Sequence, residues 1–272
     1  MPELPEVETV RCGLAPSLEG SIIKKIYIHH PKLRYPIPQL NHLVGQKIQK
    51  IQRRSKYLIF EFASGNLLAH LGMSGIFRLY DLPAPEKLKH DHIEFYFDTF
   101  VLRYHDPRRF GAILWSNKPF DQHQLIQSLG PEPLSTNFNS NYLQSTLKTT
   151  KKAIKLAIMD SHIVCGVGNI YASEALFDAS IHPLTPANKL TLIQCQSLVN
   201  SIKYILSSAI KQGGTTLKDF KNSNGKPGYF AQQLAVYAQD KKPCTNCQTP
   251  IAKIILGQRS TFYCTECQKL PN

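Results

Sequence analysis

Two Cys-x2-Cys pairs near the end of the sequence, Cys244/Cys247 and Cys264/Cys267, limit what this chain can fold into more than any other feature. Each pair can place two thiolates on one knuckle. A hairpin formed by residues 248–263 would bring the knuckles together as a tetrahedral four-thiolate site, for which zinc is the fitting ion. With cysteine at all four positions no opening is left for a catalytic water, so the metal is expected to be structural, one ion per chain. A tail this small should not fold without it. The competing reading, a redox dithiol pair, lacks the βαβ setting such chemistry uses. Between the pairs, Gly257-Gln258-Arg259-Ser260-Thr261 reads as a turn that presents Arg259 at a hairpin tip. The remaining cysteines, Cys12, Cys165 and Cys195, stand singly and read as reduced small hydrophobes, so the sequence fits a reducing, cytoplasmic compartment.

Charge narrows the function classes. Lys and Arg number 32 against 19 Asp and Glu, a formal net charge of +13 over 272 residues. Such a surplus attracts polyanions, nucleic acid above all, although a basic surface also serves solubility. No stretch approaches the ~20 continuous apolar residues of a membrane span. The acidic, proline-containing start lacks the positive-then-apolar order of a signal peptide. No organic cofactor is indicated, and a monomer is expected.

The periodicity predicts an α+β protein. Val7, Val10, Leu14 and Leu18 recur at helical spacing over residues 3–19, with Gly20 placed to end the helix. Short β-prone runs follow at 21–29, 47–52, 57–62, 67–71, 76–80, 92–97, 101–104 and 112–115, without βα alternation, which suggests a sandwich or barrel. Leu129-Gly130-Pro131-Glu132-Pro133-Leu134-Ser135 breaks either periodicity and marks a boundary. Helices are expected at 151–160, 171–179 and 192–212, then a polar loop over 215–230 and the cysteine module. The expected division is 1–130, 131–235 and 236–272.

Chemistry concentrates in a few short motifs. The chain opens Met1-Pro2-Glu3-Leu4-Pro5-Glu6. Removal of the initiator methionine, expected because residue 2 is small, would leave a secondary amine with two carboxylates within one helical turn. An α-amino group titrates near ~7.7–8.0, so part of it is a neutral nucleophile at physiological pH. With an aldehyde-level carbon it would form an iminium, an electron sink without a cofactor. Proline and glutamate in a first helical turn are also ordinary helix-start residues. Gly166-Val167-Gly168-Asn169 can cradle a phosphate or simply turn a helical corner. Lys151, Lys152 and Lys155 lie nearby. Arg53-Arg54-Ser55-Lys56 is a basic run at a strand start, equally readable as a solvated face. Met73 stands between glycines in Leu71-Gly72-Met73-Ser74-Gly75, where it could plug a gap. Arg108 and Phe110 share the turn Asp106-Pro107-Arg108-Arg109-Phe110-Gly111, where a cation–π pair is the default. Basic turns bearing Met and Phe are also what a protein inserts into a duplex as wedges. His90-Asp91-His92 offers too few ligands for a metal, so His90 is read as hydrogen-bonding or phosphate-facing.

Together these residues closely resemble the formamidopyrimidine-DNA glycosylases, bacterial enzymes that excise oxidised purines. MPELPEVETV, RRSKYL, HLGMSG, KHDH, DPRRFG, LGPEPLS, MDSHIVCGVGNIYASEALFDASIHP, GGTTLKDF, GYF and CTNCQTP…GQRSTFYCTECQ follow that family in order along essentially the whole chain. Leu4, with Met73, Arg108 and Phe110 all present, favours this branch over the endonuclease VIII group.

The resemblance implies an N-terminal β-sandwich with a leading helix, a helix–two-turn–helix domain and a zinc hairpin. It implies that Pro2 attacks C1′ of the damaged nucleoside, that Glu3 is a proton donor in ring opening, and that Glu6 organises the amine and nearby water. Lys56 would bind a phosphate and assist β-elimination, and Arg259 would assist δ-elimination. Met73, Arg108 and Phe110 would fill the vacated stack, with Arg108 facing the orphaned cytosine. Asn169 and the Gly166–Gly168 amides would hold a phosphate, and residues 215–229 would form a lid. This chain departs from the family where a longer basic run often precedes the Ala-Ile-Lys helix, so a phosphate contact falls to Lys151 or Lys152. The implied partner is double-stranded DNA carrying oxidised purines or abasic sites. The residues alone leave open a non-enzymatic, zinc-containing DNA-bending protein.

Overall fold

The first helix starts where its carboxylates can satisfy it. In a computed structural model describing residues 1–214 and 234–270, α1 spans Leu4–Leu18, with Glu3 at the N-cap and a proline in the first turn. Its buried stripe is Leu4, Val7, Val10, Leu14 and Leu18, the i, i+3/i+4 pattern of one core-facing side.

Eight strands follow: β1 (Lys25–Ile28), β2 (Lys50–Arg54), β3 (Tyr57–Phe62), β4 (Gly65–His70), β5 (Ile76–Asp81), β6 (Asp91–Tyr96), β7 (Phe100–His105) and β8 (Ala112–Ser116). They form two antiparallel four-stranded sheets, ordered β1-β6-β7-β5 and β2-β3-β4-β8. One core joins them: Leu58, Phe60, Leu67 and Ala69 from one sheet meet Phe77, Ile93, Phe95, Leu102 and Tyr104 from the other, together with the α1 stripe. Phe60 and Phe77 stand edge to face at 5.7 Å across the sheets. The expected run at 21–29 contracts to β1, Ile22 making only an isolated bridge to Lys47. The chain crosses between the sheets three times, from β1 to β2, from β4 to β5 and from β7 to β8. Because β4 pairs with β8 and β5 with β7, the last two crossover loops lie side by side.

Helices dominate the later part: α2 (Ser140–Leu147), α3 (Ile154–Ile158), α4 (Asn169–Asp178) and α5 (Leu192–Lys211). Sequence periodicity missed α2, which carries only Leu143 and Leu147 on its buried side and is capped by Asn139 accepting the Tyr142 amide at 3.0 Å. It overextended α3. Residues 150–153 instead run extended against 186–188, with Ala187 N to Lys152 O and Asn188 N to Thr150 O, each 3.0 Å. The chain closes on a hairpin of β9 (Ala252–Leu256) and β10 (Arg259–Tyr263). Its two-residue turn, Gly257-Gln258, has φ of 55° and 61°, the left-handed pair whose twist suits a tight hairpin.

The described residues cluster into two compact units, 1–127 with 212–214, and 128–211 with 234–270. The hairpin belongs to the second unit and shares a core with α4, where Phe177 packs with Val236, Cys244, Ile251, Phe262 and Cys264.

Candidate active site and metal centre

In the first unit Pro2 is buried immediately before α1. Glu3 is 3% and Glu6 2% exposed. The Glu3 amide donates to Glu6 Oε2 at 2.8 Å, and the Glu6 amide returns to the Glu3 side chain, closing a capping box. Helix-start chemistry and a carboxylate-flanked N-terminus are therefore one arrangement. Gly214, at φ +77°, lies against Glu6 so closely that a Cβ there would stand 2.9 Å from Oε1.

Lys56 takes the second position of the two-residue turn between β2 and β3, after Ser55 at φ 57°. Arg53 braces that turn, with Nε 2.8 Å from Glu8 Oε2 on α1 and Nη1 3.0 Å from the Ser55 carbonyl. The basic run is thus partly structural. Near Lys56 stands His70, whose pKa falls to about 4 through burial, then the charges of Lys56 and Arg34. Its Nδ1 accepts the Gly72 amide at 3.0 Å, so the neutral ring carries its proton on Nε2.

Met73 is half-buried, while Arg108 and Phe110 are exposed, the latter 47%. The Arg108 guanidinium lies 5.1 Å from the Phe110 ring centroid, a cation–π pair open to solvent. The His90 carbonyl accepts the Asp106 amide at 3.0 Å, and the His90 ring faces His105 at 6.0 Å. Its neighbours point elsewhere: Asp91 bonds His105 Nδ1 at 2.8 Å, and His92 Nε2 bonds the Asp106 carbonyl at 2.8 Å.

In the second unit Gly166 has φ +83° and Gly168 caps α4. Asn169, the first residue of α4, donates Nδ2 to the Ser260 carbonyl at 3.0 Å, and its Oδ1 is buried without a hydrogen-bond partner. Lys152 pairs with Asp160 at 2.9 Å. Burial alone would raise the Asp160 pKa, but hydrogen bonds from Lys152 and His162 hold it down at about 2. Lys151 is exposed and makes no ion pair among the described residues. Lys155 departs from the expected basic cluster: it is 1% exposed, with Nζ 2.7 Å from Thr261 Oγ1 and 3.3 Å from the Ser260 carbonyl. Arg259 is exposed at the start of β10, opposite Leu256.

The thiols of Cys244, Cys247, Cys264 and Cys267 all lie within 4.8 Å of one another, and no other potential metal-binding group of three or more His, Cys, Asp or Glu occurs among the described residues. Sγ separations of 3.9 Å (Cys244–Cys267) and 3.4 Å (Cys247–Cys264) bracket the ~3.8 Å edge of a tetrahedron with ~2.3 Å Zn–S bonds. Amides of Asn246 and Cys267 point at the Cys244 and Cys264 sulfurs at 3.4 and 3.5 Å, the outer-shell support that a thiolate site uses. The donor set fits zinc.

Comparison with known proteins decides the lineage. Residues 1–113 match the formamidopyrimidine-DNA glycosylase N-terminal domain, residues 129–221 the formamidopyrimidine-DNA glycosylase H2TH domain, and residues 241–270 the zinc finger found in FPG and IleRS. The chain is 52% identical over 272 residues to the formamidopyrimidine-DNA glycosylase of Hydrogenovibrio crunogenus, covering 99% of this chain and 97% of the relative. The chain belongs to the formamidopyrimidine-DNA glycosylase family. Among solved family structures, the Lactococcus lactis Fpg complex with abasic-site DNA matches with a TM-score of 0.90 at 37% identity, covering 98% of this chain and 99% of that one. MutM bound to DNA containing carbocyclic 8-oxo-G matches with a TM-score of 0.89 at 37% identity, covering 98% and 100%. The four cysteines accordingly form the site of one structural zinc. No helix among the described residues is long and apolar enough to cross a membrane.

Sequence reasoning singled out Pro2, Glu3 and Glu6, which the structure gathers in one turn, and Met73, Arg108 and Phe110, which sit on the two adjacent crossover loops. The lid expected at 215–229 lies outside the described residues. Sequence reasoning assigns no role to His70 or Asp106, and it places Lys155 in a basic cluster rather than in its buried contact with Thr261. A lysine within the apolar stripe Ile154, Ala157 and Ile158 was the available signal for that contact.

Proposed function

We propose that this chain is a bifunctional DNA glycosylase and abasic-site lyase acting on oxidised purines, 8-oxoguanine and formamidopyrimidines, in duplex DNA. The first-turn arrangement of Pro2, Glu3 and Glu6, two carboxylates almost wholly withdrawn from water beside the amine-bearing residue, is the observation that carries this reading. Relatives that share the fold are bound to lesion-containing and abasic DNA, and the net charge of +13 suits that ligand.

After loss of Met1, the neutral Pro2 nitrogen attacks C1′ of an everted nucleotide. The glycosidic bond breaks, the base leaves with a proton, and Glu3 delivers a proton to the ring oxygen as the sugar opens. The resulting iminium acidifies the C2′ proton. Its removal expels the 3′ phosphate by β-elimination, and a second elimination expels the 5′ phosphate. Glu6 holds the first turn and orders water beside the amine. Lys56 binds a phosphate at the lesion and assists the first elimination, and Arg259 assists the second. Met73, Arg108 and Phe110 occupy the vacated stack, Arg108 towards the orphaned cytosine. His90, the Gly166–Gly168 amides, and Asn169 through its second amide hydrogen contact the backbone. Lys151 supplies the remaining phosphate contact, because the Lys152 ammonium is engaged by Asp160. The zinc supplies no chemistry and holds the hairpin that bears Arg259. The working division is a catalytic segment 1–130, a helical DNA-binding segment 131–235 and a zinc segment 236–272.

Borohydride treatment of the protein with duplex DNA carrying 8-oxoguanine opposite cytosine tests this. Covalent trapping through residue 2, abolished by Pro2→Ala or by an N-terminal tag, is expected. Equal nicking by tagged and untagged protein, or an adduct on an internal lysine, would sink the mechanism. A DNA-bending protein would bind the same duplex and trap nothing.

A further inference from the structure

The two crossover loops that carry Met73 and the Arg108–Phe110 pair are joined by a group to which neither the sequence nor the proposed chemistry assigns a task. Asp106 is fully buried, 0% exposed. Its Oδ1 accepts the Ser74 hydroxyl at 2.6 Å, next to Met73 on the first loop. Its Oδ2 accepts the Gly111 amide at 2.8 Å, next to Phe110 on the second. The Arg108 amide approaches Oδ1 at 3.3 Å, and the Asp106 carbonyl is held by His92 Nε2 at 2.8 Å. The Tyr104 hydroxyl stands 3.5 Å from Oδ2 and 3.4 Å from the His70 carbonyl.

The glycines of both motifs fit around this carboxylate. A Cβ at Gly75 or Gly111 would overlap the Tyr104 hydroxyl, and one at Gly72 would run into the Phe110 backbone. Charge-assisted hydrogen bonds to a buried carboxylate are short and directional. A buried charge contributes little net stability compared with well-packed apolar residues, and its value lies in fixing one arrangement. Here that arrangement leaves Arg108 and Phe110 projecting into solvent.

We propose that Asp106 is a positioning residue: it locks the Met73 loop to the Arg108–Phe110 loop, so that the three side chains enter a duplex as one preorganised wedge. This rests on the reading of those side chains as stack-filling groups. The wedge acts on base eversion, so Asp106 matters where the lesion must be extracted from a stack and little where it is already unstacked.

The test uses the full chain, zinc-loaded and untagged, in single-turnover excision of 8-oxoguanine from two substrates. One is a fully paired duplex, and the other carries the lesion inside an unpaired bubble. Asp106→Asn is expected to slow excision from the paired duplex about tenfold or more and from the bubble less than about twofold, as loss of a charged, multiply bonded acceptor implies. Ser74→Ala keeps the carboxylate and its amide donors, so it should show the same selectivity with a smaller loss, and it decides the matter if Asp106→Asn does not fold. Equal losses on both substrates, or no loss on either, would overturn the proposal. Wild-type protein that excises from neither substrate would instead overturn the functional reading on which it rests.

Discussion

The ammonium of Lys155 on α3 lies 2.7 Å from the hydroxyl of Thr261 on β10. Asn169 on α4 bonds the adjacent Ser260 carbonyl, and Gly257 at the turn packs so near Leu156 that a Cβ would come within 2.7 Å of it. The hairpin is thus seated on two helices within one unit, next to the strand start that bears Arg259. Thr261→Val would deprive a buried cation of one acceptor and should cost ~2 kcal/mol. Chemical denaturation of the zinc-loaded protein measures this. A change within error would show that the ammonium's other contacts suffice.

Zinc removal should be felt beyond the cysteines, because Cys244 and Cys264 pack in one cluster with Phe177 of α4. Metal analysis is expected to give one ion per chain. Chelation, or Cys264→Ser, should abolish binding to lesion duplex while much of the sandwich remains folded. Apo protein that binds such DNA normally would refute this.

His70 makes stability depend on pH. Its folded pKa, about 4, lies below its ordinary value of 6.5, so the unfolded chain binds the proton first. The stability of the neutral ring is fully present above pH 6.5 and is lost as pH falls from there towards 4. Replacing His70 with Gln should flatten that part of the stability–pH curve, as read by denaturant midpoints from pH 4 to 7.5. Parallel wild-type and variant curves would remove His70 as the cause.

Gly72 combines φ +61° with a Cβ position that would collide with the backbone of Phe110 and Gly111. Gly72→Ala should therefore destabilise by at least ~2 kcal/mol, strain and overlap together. Gly20→Ala, also at positive φ (+86°) but in open space, should cost only the ~1 kcal/mol expected of the backbone conformation itself. Thermal melting of the pair separates the two contributions.

Much of this architecture was legible in advance, because periodicity reports burial. The Val7/Val10/Leu14/Leu18 stripe located α1, and the short β-prone runs located all eight sandwich strands. The cysteine spacing located the hairpin. What stayed hidden depends on contacts distant in sequence. The start of α3 shifts because residues 150–153 pair with 186–188, and no local pattern near Lys151 announces that. Asp106 read as a turn residue because its donors lie 32 positions away at Ser74 and five positions away at Gly111. Lys155 read as surface charge because its acceptor lies 106 positions on.

The bond from the Glu3 amide to Glu6 has an awkward corollary for mutagenesis. Under the proposed mechanism the carboxylate that braces this helix terminus also serves the attacking amine, so a slow Glu6 variant would report fraying and lost catalysis in a single number. Only a replacement that still accepts that amide, such as glutamine, can isolate the carboxylate's charge from its carpentry.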